Sequence, residues 1–206
     1  MSTNPTSLTN PLFPVFLKLE NLRVLLVGGG KIGTEKINAL LNNYSKAQVH
    51  VVADWVSEEM RAVLTLNPHV QLTQRKFEST DLNEADVVIV AINDRVVSQS
   101  IAQQAKSLRL LTNVADTPDL CDFYLGSIVQ KGALKIAIST NGLSPTIAKR
   151  LREFLTDLIP DAINLSLENL AQIRKQSRWG FEEKVEKLNQ ITEVLKNQTA
   201  QHEGSN

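Results

Sequence analysis

A chain of 206 residues, 42% hydrophobic and 21% charged, can bury a core and has the composition of a globular protein. Its 22 Lys and Arg balance its 22 Asp and Glu, so no overall field attracts a long polyanion and charge-driven nucleic-acid binding is excluded. No apolar run approaches the roughly 20 residues that span a bilayer, the polar start MSTNPTSLTNP lacks a signal-peptide pattern, and one cysteine forms no internal disulfide, so a cytoplasmic setting is expected.

In chain order, the apolar run RVLLV (23–27) ends in three glycines and reads as a buried strand. KIGTEKINALLNN (31–43) has helical spacing at Ile32, Ile37, Leu40 and Leu41. VHVV (49–52) reads as the second strand, and SEEMRAVLTL (57–66) as a helix with Ser57 as its N-cap. VQLTQ (70–74) and DVVIVAI (86–92) are further strands, with a short link between them. DRVVSQSIAQQAKSLR (94–109) is the next helix, and LLTNV (110–114) the next strand. Strands rich in Val and Ile that alternate with helices predict a doubly wound parallel sheet covered on both faces, an α/β Rossmann-type fold.

The alternation stops after residue 114. GSIVQKGALKIAIST (126–140) reads as two strands joined at Lys131–Gly132, and SPTIAKRLREFLTDLI (144–159) as a helix capped by Ser144 with Pro145 in its first turn. Two more helices follow, over 162–176 and 181–198, the last with Phe181, Val185, Leu188, Ile191 and Leu195 on one stripe. The expected division is a nucleotide-binding domain over 1–114, a small α+β unit over 115–145, a helical domain over 146–198, and a disordered tail over 199–206. Charge is uneven: residues 131–178 hold eight Lys and Arg against four acids, a local +4 that suits a compact anionic ligand or a solvated helix face.

The run VLLVGGGKIGTEK contains Gly28-x-Gly30-x-x-Gly33 between the first strand and the first helix, the context in which this spacing binds a dinucleotide. Gly28 permits the tight turn, Gly30 lets the backbone approach a pyrophosphate, and Gly33 lets helix and strand pack closely. Gly29, Lys31 and Ile32 complete the loop and helix start, whose N–H groups face the phosphates. Asp54, near the end of the second strand, is placed to accept the adenosine ribose hydroxyls, or else caps the following turn. No Lys or Arg lies between Val49 and Met60 to meet a 2′-phosphate, which favours NAD over NADP. Asn93 and Asp94, after the fourth strand, are a second cofactor-facing edge, and Asn113 is a third.

These residues resemble the start of the precorrin-2 dehydrogenase / sirohydrochlorin ferrochelatase family of siroheme synthesis. The likeness rests on FPVFLKLENLRVLLVGGGKIGTEKINALL, VVIVAINDR, LTNVADTPDLCDFYLGSIVQKGALKIAIST and NGLSPTIAKRLREFL, roughly residues 12 to 160. It implies a Rossmann domain, a dimerisation unit with strands exchanged between two subunits, and a helical C-terminal domain. It implies NAD-dependent oxidation of precorrin-2 to sirohydrochlorin, in siroheme or cobalamin synthesis, with Fe2+ insertion in some members. Many bacterial members are fused to a methyltransferase; a chain of this length resembles the stand-alone form.

The family's catalytic aspartate lies in its NV-x-D segment, which maps onto Asn113-Val114-Ala115-Asp116. Asp116 is thus the expected base, just past the carboxyl end of a strand; the bland alternative is a turn cap. Precorrin-2 carries eight carboxylates, and Lys149, Arg150 and Arg152 on the 144–159 helix are candidates to grip them. The hydroxyls of Ser139, Thr140 and Ser144 are expected to line the substrate cleft. Members of that family more often have a second glycine where Asn141 stands, and Asn tolerates the left-handed backbone such a turn needs. Asp119 and Asp122 read as turn residues, Cys121 as a small packed side chain, and His50, His69 and His202 as unconnected, so no resident metal site is expected. A non-catalytic NAD-sensing domain shares the glycine loop but does not account for NVADTPDLCDF. A short-chain dehydrogenase is excluded because neither Tyr44 nor Tyr124 has a Lys four residues on.

Overall fold

The computed structural model describes residues 9–176 and 180–192. Two compact units divide it, one running to Leu125 and including Asn141–Leu143, the other comprising Gly126–Thr140 and the chain from Ser144.

The first unit holds strands β1 (Arg23–Gly29), β2 (Gln48–Val56), β3 (Gln71–Thr73), β4 (Val87–Val90) and β5 (Leu111–Val114), with helices α1 (Lys31–Asn43), α2 (Glu58–Leu66) and α3 (Arg95–Ser107). All strand pairs are parallel, in the order β3-β2-β1-β4-β5. This is the doubly wound sheet that the strand–helix alternation predicts. Successive strand residues point to opposite faces, and here both faces are covered. Val24, Leu26, Val49, Val51 and Ile89 pack with Ile37 and Leu40 of α1 and Met60 of α2. Leu25, Val27, Val52, Val88 and Val90 pack with Ile101, Ala102 and Ala105 of α3. Double coverage is the reason these strands are apolar throughout instead of alternating.

The largest departure from the sequence reading is β2, which continues to Val56 instead of stopping at residue 52. Its extra length comes from pairing with the glycine run: Gly29 opposes Val56 across a register shift after Val27, and the Ser57 N–H donates to the Gly29 carbonyl at 2.9 Å. The other limits within the described residues move by at most two residues, and the expected end of the last helix at 198 lies outside them. Residue 94 caps α3 instead of belonging to it, and the link before β4 forms a 3-10 turn over Ser79–Leu82.

The second unit holds the antiparallel hairpin of β6 (Ser127–Lys131) and β7 (Leu134–Ile138), then α4 (Pro145–Leu158), α5 (Ile163–Gln176) and α6 (Phe181–Thr192). The hairpin turns at Gly132, which has φ +56, as expected for a two-residue connection. Asn164 of α5 accepts from the Ala133 N–H at 2.8 Å, and Lys131 pairs with Asp161 at 2.7 Å, so the tip of the hairpin is tied to the start of α5. Of the expected stripe on α6, Val185 and Ile191 are exposed, and Leu195 lies outside the described residues. The tail expected to be disordered also lies outside them, as does Arg178 of the basic window. No helix among the described residues is long and apolar enough to cross a membrane.

Candidate functional site

The carboxyl edge of the sheet gathers the first group of residues. The glycine loop leaves β1, Asn93 and Asp94 follow β4, and Asp116 follows β5. Main-chain bonds continue the alignment past the strands: Ala91 donates to Val27 at 2.7 Å and Ala115 to Val90 at 2.9 Å. Since neighbouring strands lie about 4.8 Å apart, the glycine loop and the Asp116 segment stand roughly 10 Å apart on one edge.

Three glycines of the loop are demanded by the fold itself. Gly28 has φ +118, and a Cβ there would collide with the Ala91 carbonyl. A Cβ at Gly33 would collide with the Gly28 carbonyl, and one at Gly29 with the Trp55 carbonyl and Val56. Gly30 differs, because the atom nearest a Cβ there is Cζ3 of Trp55 at 3.8 Å. The fold leaves open the one position that a pyrophosphate must approach.

The first helical bond of α1 runs from the Thr34 N–H to the Gly30 carbonyl at 2.9 Å. The N–H groups of Lys31, Ile32 and Gly33 therefore precede the helical ladder and are available to an anion. No acid occupies the first turn of α1, whose first residue is Lys31. Thr34 and Ser57, both buried, brace the loop from below: the Thr34 hydroxyl donates to the Gly30 carbonyl at 3.0 Å and lies 3.4 Å from the Ser57 hydroxyl. Ser57 also caps α2, accepting from the Met60 N–H at 3.1 Å. The motif itself did not point to this brace. The residues present fit a dinucleotide.

Asp54 lies inside β2, exposed, with no hydrogen-bond or ion-pair partner among the described residues; Ser57, not Asp54, caps the next helix. Exposed Glu58 and Glu59 open α2 close by in the chain. Asn93 is exposed at the β4 exit, whereas Asp94 accepts from the Val97 N–H at 3.0 Å as the cap of α3.

The stretch after β5 separates into distinct roles. Asp116 is exposed, has φ +55, and its carboxylate has no partner among the described residues. It caps nothing. Asp119 pairs with Arg95 at 3.0 Å, and Asp122 accepts from the Thr112 N–H at 3.0 Å, so both hold the loop in place. The Cys121 thiol donates to the Val114 carbonyl at 3.2 Å and accepts from the Val114 N–H at 3.2 Å, stapling the two ends of the turn that carries Asp116. Burial pushes this thiol upward from its ordinary range. Asn113 donates to the Phe123 carbonyl at 2.9 Å, while its own amide oxygen is buried without a partner.

The second group comprises α4 and the turn before it, of which Asn141–Leu143 count with the first unit and the rest with the second. Thr140 and Ser144 close their turn on each other: the Thr140 hydroxyl donates to the Ser144 carbonyl and accepts from the Ser144 N–H, both at 3.2 Å. Ser144 also caps α4, accepting from the Ile147 N–H at 3.2 Å. Asn141 has φ +52, the left-handed backbone expected of it, and Ser139 lies in the same turn region. Lys149 and Arg150 both reach Glu153, at 3.9 and 2.9 Å, while half-buried Arg152 has no ion pair among the described residues. A groove of about 590 Å³ between α5 and α6, bordered by Leu170, Leu188 and Arg174, includes none of the candidate cofactor, substrate or catalytic residues. His50 bonds Thr73 across β2 and β3 at 2.8 Å, and no group of three metal-ligating side chains occurs among the described residues.

The sheet order, the open glycine and the exposed helix N–H groups define a dinucleotide-binding protein of the doubly wound class. A family model described as "Putative NAD(P)-binding" matches residues 15–127, and one described as "Sirohaem biosynthesis protein central" matches 131–158. The chain belongs to this NAD(P)-binding family, in the form joined to the sirohaem central region. It is 36% identical over 168 residues to a siroheme synthase of Nitrosomonas europaea, covering 82% of this chain and 35% of the relative. It is 34% identical over 170 residues to that of Methylococcus capsulatus, with coverage of 82% and 35%. The chain thus spans about a third of the length of these curated relatives. A solved structure, SirC, precorrin-2 dehydrogenase, superposes with a TM-score of 0.72 at 28% identity, covering 87% of this chain and 89% of that one.

Proposed function

We propose that this chain oxidises precorrin-2 to sirohydrochlorin with NAD+, with Asp116 as the base. One observation carries the reading: an exposed, unpartnered carboxylate stands at the end of β5, two strands from an open glycine loop on the same sheet edge. The oxidation removes a hydride and a proton from the macrocycle. Bound NAD+ supplies the hydride acceptor. Asp116 takes the proton, and the Cys121 staple fixes its backbone for that task. The N–H groups at the start of α1 hold the pyrophosphate, Asp54 the adenosine ribose, and the Asn113 oxygen offers an acceptor to the nicotinamide carboxamide. Asp54, with Glu58 and Glu59, sets a negative rim against a 2′-phosphate and selects NAD over NADP.

The substrate's carboxylates are assigned to Arg152, with Lys149 and Arg150 exchanging Glu153 for them; Ser139 contributes a hydroxyl. Asn93 and Asp94 border the cofactor. The hairpin unit is the proposed dimerisation element: Ile147, Leu151, Phe154 and Leu158 make an exposed apolar stripe on α4, and a two-stranded sheet is seldom stable alone. A second copy is the proposed occupant. Fe2+ insertion into the product, with Fe2+ as a substrate, is the further activity the family resemblance carries.

The test is purified protein with NAD+ and precorrin-2, following NADH and sirohydrochlorin absorbance. Asp116→Asn is expected to keep NAD+ binding and lose most turnover, since general-base groups contribute typically 100- to 10,000-fold. Full turnover in that variant removes Asp116 from the chemistry, and no NADH from the wild type leaves the NAD-sensing alternative. A parallel arm with sirohydrochlorin and Fe2+ measures metal insertion against the spontaneous rate.

A further inference from the structure

Trp55 is 63% exposed although its strand neighbours Ala53 and Val56 are both buried in the same core cluster. In a regular strand, residues three apart face opposite sides. Here the register shift opposite the glycine run brings Ala53 and Val56 to one side and leaves Asp54 and Trp55 together at the surface. Exposure of a single aromatic is ordinary, but its position is not. The Trp55 carbonyl would collide with any side chain at Gly29, the nearby Ser57 N–H is bonded to the Gly29 carbonyl, and ring atom Cζ3 lies 3.8 Å from where a Gly30 side chain would begin. The main chain beside Trp55 is therefore anchored to the glycine loop while the residue stays largely exposed.

We propose that the Trp55 indole is the stacking platform for the cofactor's adenine. The assignment rests on the dinucleotide lying with its pyrophosphate at Gly30 and its ribose at Asp54. From there the base, one bond from the ribose, lies against residue 55. No Lys or Arg lies between Val49 and Met60 to stack on the base from this segment, so recognition of a neutral heterocycle falls to the indole's π-face. Aromatic platforms of this kind raise affinity without reading base edges. Affinity for the adenine half is thereby separated from the carboxylates that reject a 2′-phosphate.

The test compares wild type, Trp55→Phe and Trp55→Ala for binding of NAD+, AMP and nicotinamide mononucleotide by calorimetry, with melting temperatures as a check that the exposed site leaves folding unchanged. Loss of the platform should weaken NAD+ and AMP by roughly ten- to a hundred-fold in Trp55→Ala, less in Trp55→Phe, and leave nicotinamide mononucleotide unaltered. AMP should also change indole emission in the wild type and not in Trp55→Phe, which retains the chain's other tryptophan, Trp179. NAD+ and AMP binding within two-fold of wild type in Trp55→Ala overturns the assignment and leaves the dinucleotide reading standing. A wild type that binds no NAD+ overturns both.

Discussion

The glycine loop permits a test in which two substitutions of identical chemistry have opposite consequences. In Gly33→Ala the new methyl would sit against the Gly28 carbonyl, with the Gly28 carbonyl carbon at 3.0 Å and Met60 Cε at 3.4 Å. Backbone cannot yield as a flexible side chain does, so α1 must be displaced from β1. Overpacking of this kind costs about 1–3 kcal/mol. At roughly 2–4 °C per kcal/mol for a chain of this size, the melting temperature should fall by about 2–12 °C. In Gly30→Ala the backbone, at φ −81, accepts any residue, and the methyl meets only the Trp55 ring at 3.8 Å. The melting temperature should stay within about 2 °C, since the fold loses no contact. The same methyl, however, holds a pyrophosphate away from the N–H groups of α1. Loss of one hydrogen bond to a charged group, about 1.5–3 kcal/mol, weakens NAD+ by about 10- to 150-fold. Thermal melts and NAD+ calorimetry on both variants check the pair. If Gly30→Ala binds NAD+ like wild type, or melts as low as Gly33→Ala, the placement of the pyrophosphate is wrong.

Other outcomes follow from single contacts. The Arg23 guanidinium and N–H hold the Asp86 carboxyl down to about 2, so this pair's stabilisation is complete above the ordinary carboxylate value near 4 and is lost as pH falls toward 2. Asp86→Asn should flatten the melting temperature across that acid window, and an unchanged slope would assign the acid lability elsewhere. Cys121, its thiol pushed up by burial, should react with a disulfide reagent at pH 7 more slowly in the native chain than in urea; equal rates would place the thiol in solvent. If Asp54 opposes a 2′-phosphate as proposed, wild type should bind NAD+ at least ten-fold more tightly than NADP+, and Asp54→Ser should narrow that ratio. An unaltered ratio in calorimetry would move cofactor selection to Glu58 and Glu59.

The residues most legible in the sequence were those whose job is local. The β1–glycine–α1 unit was readable because the apolar run, the glycine spacing and the helix period agree within about twenty residues. The caps Ser57 and Ser144 were readable because a hydroxyl immediately before a helical period finds a backbone N–H three residues on to bond. The left-handed Asn141 likewise needed only its own backbone preference. Asp116 was singled out by family resemblance, since a carboxylate before a proline is by itself an ordinary turn residue.

Several roles depended on partners far away in the chain. Which of Asp116, Asp119 and Asp122 stays unpaired is set by Arg95 and Thr112. The length of β2 is set by the glycine run opposite it, and that same pairing exposes Asp54 and Trp55. The buried, unpartnered oxygen of Asn113 follows from its amide nitrogen turning to Phe123.

By itself, then, the sequence determined the doubly wound class, the dinucleotide loop and the change of architecture after β5, because hydrophobic period and glycine stereochemistry act over one or two turns of chain. Tertiary structure alone decided which polar groups are consumed by the fold and which remain free to act. A side chain's partners come from neighbouring strands 10 to 60 residues away in the chain, and only the packed sheet brings them within hydrogen-bond distance.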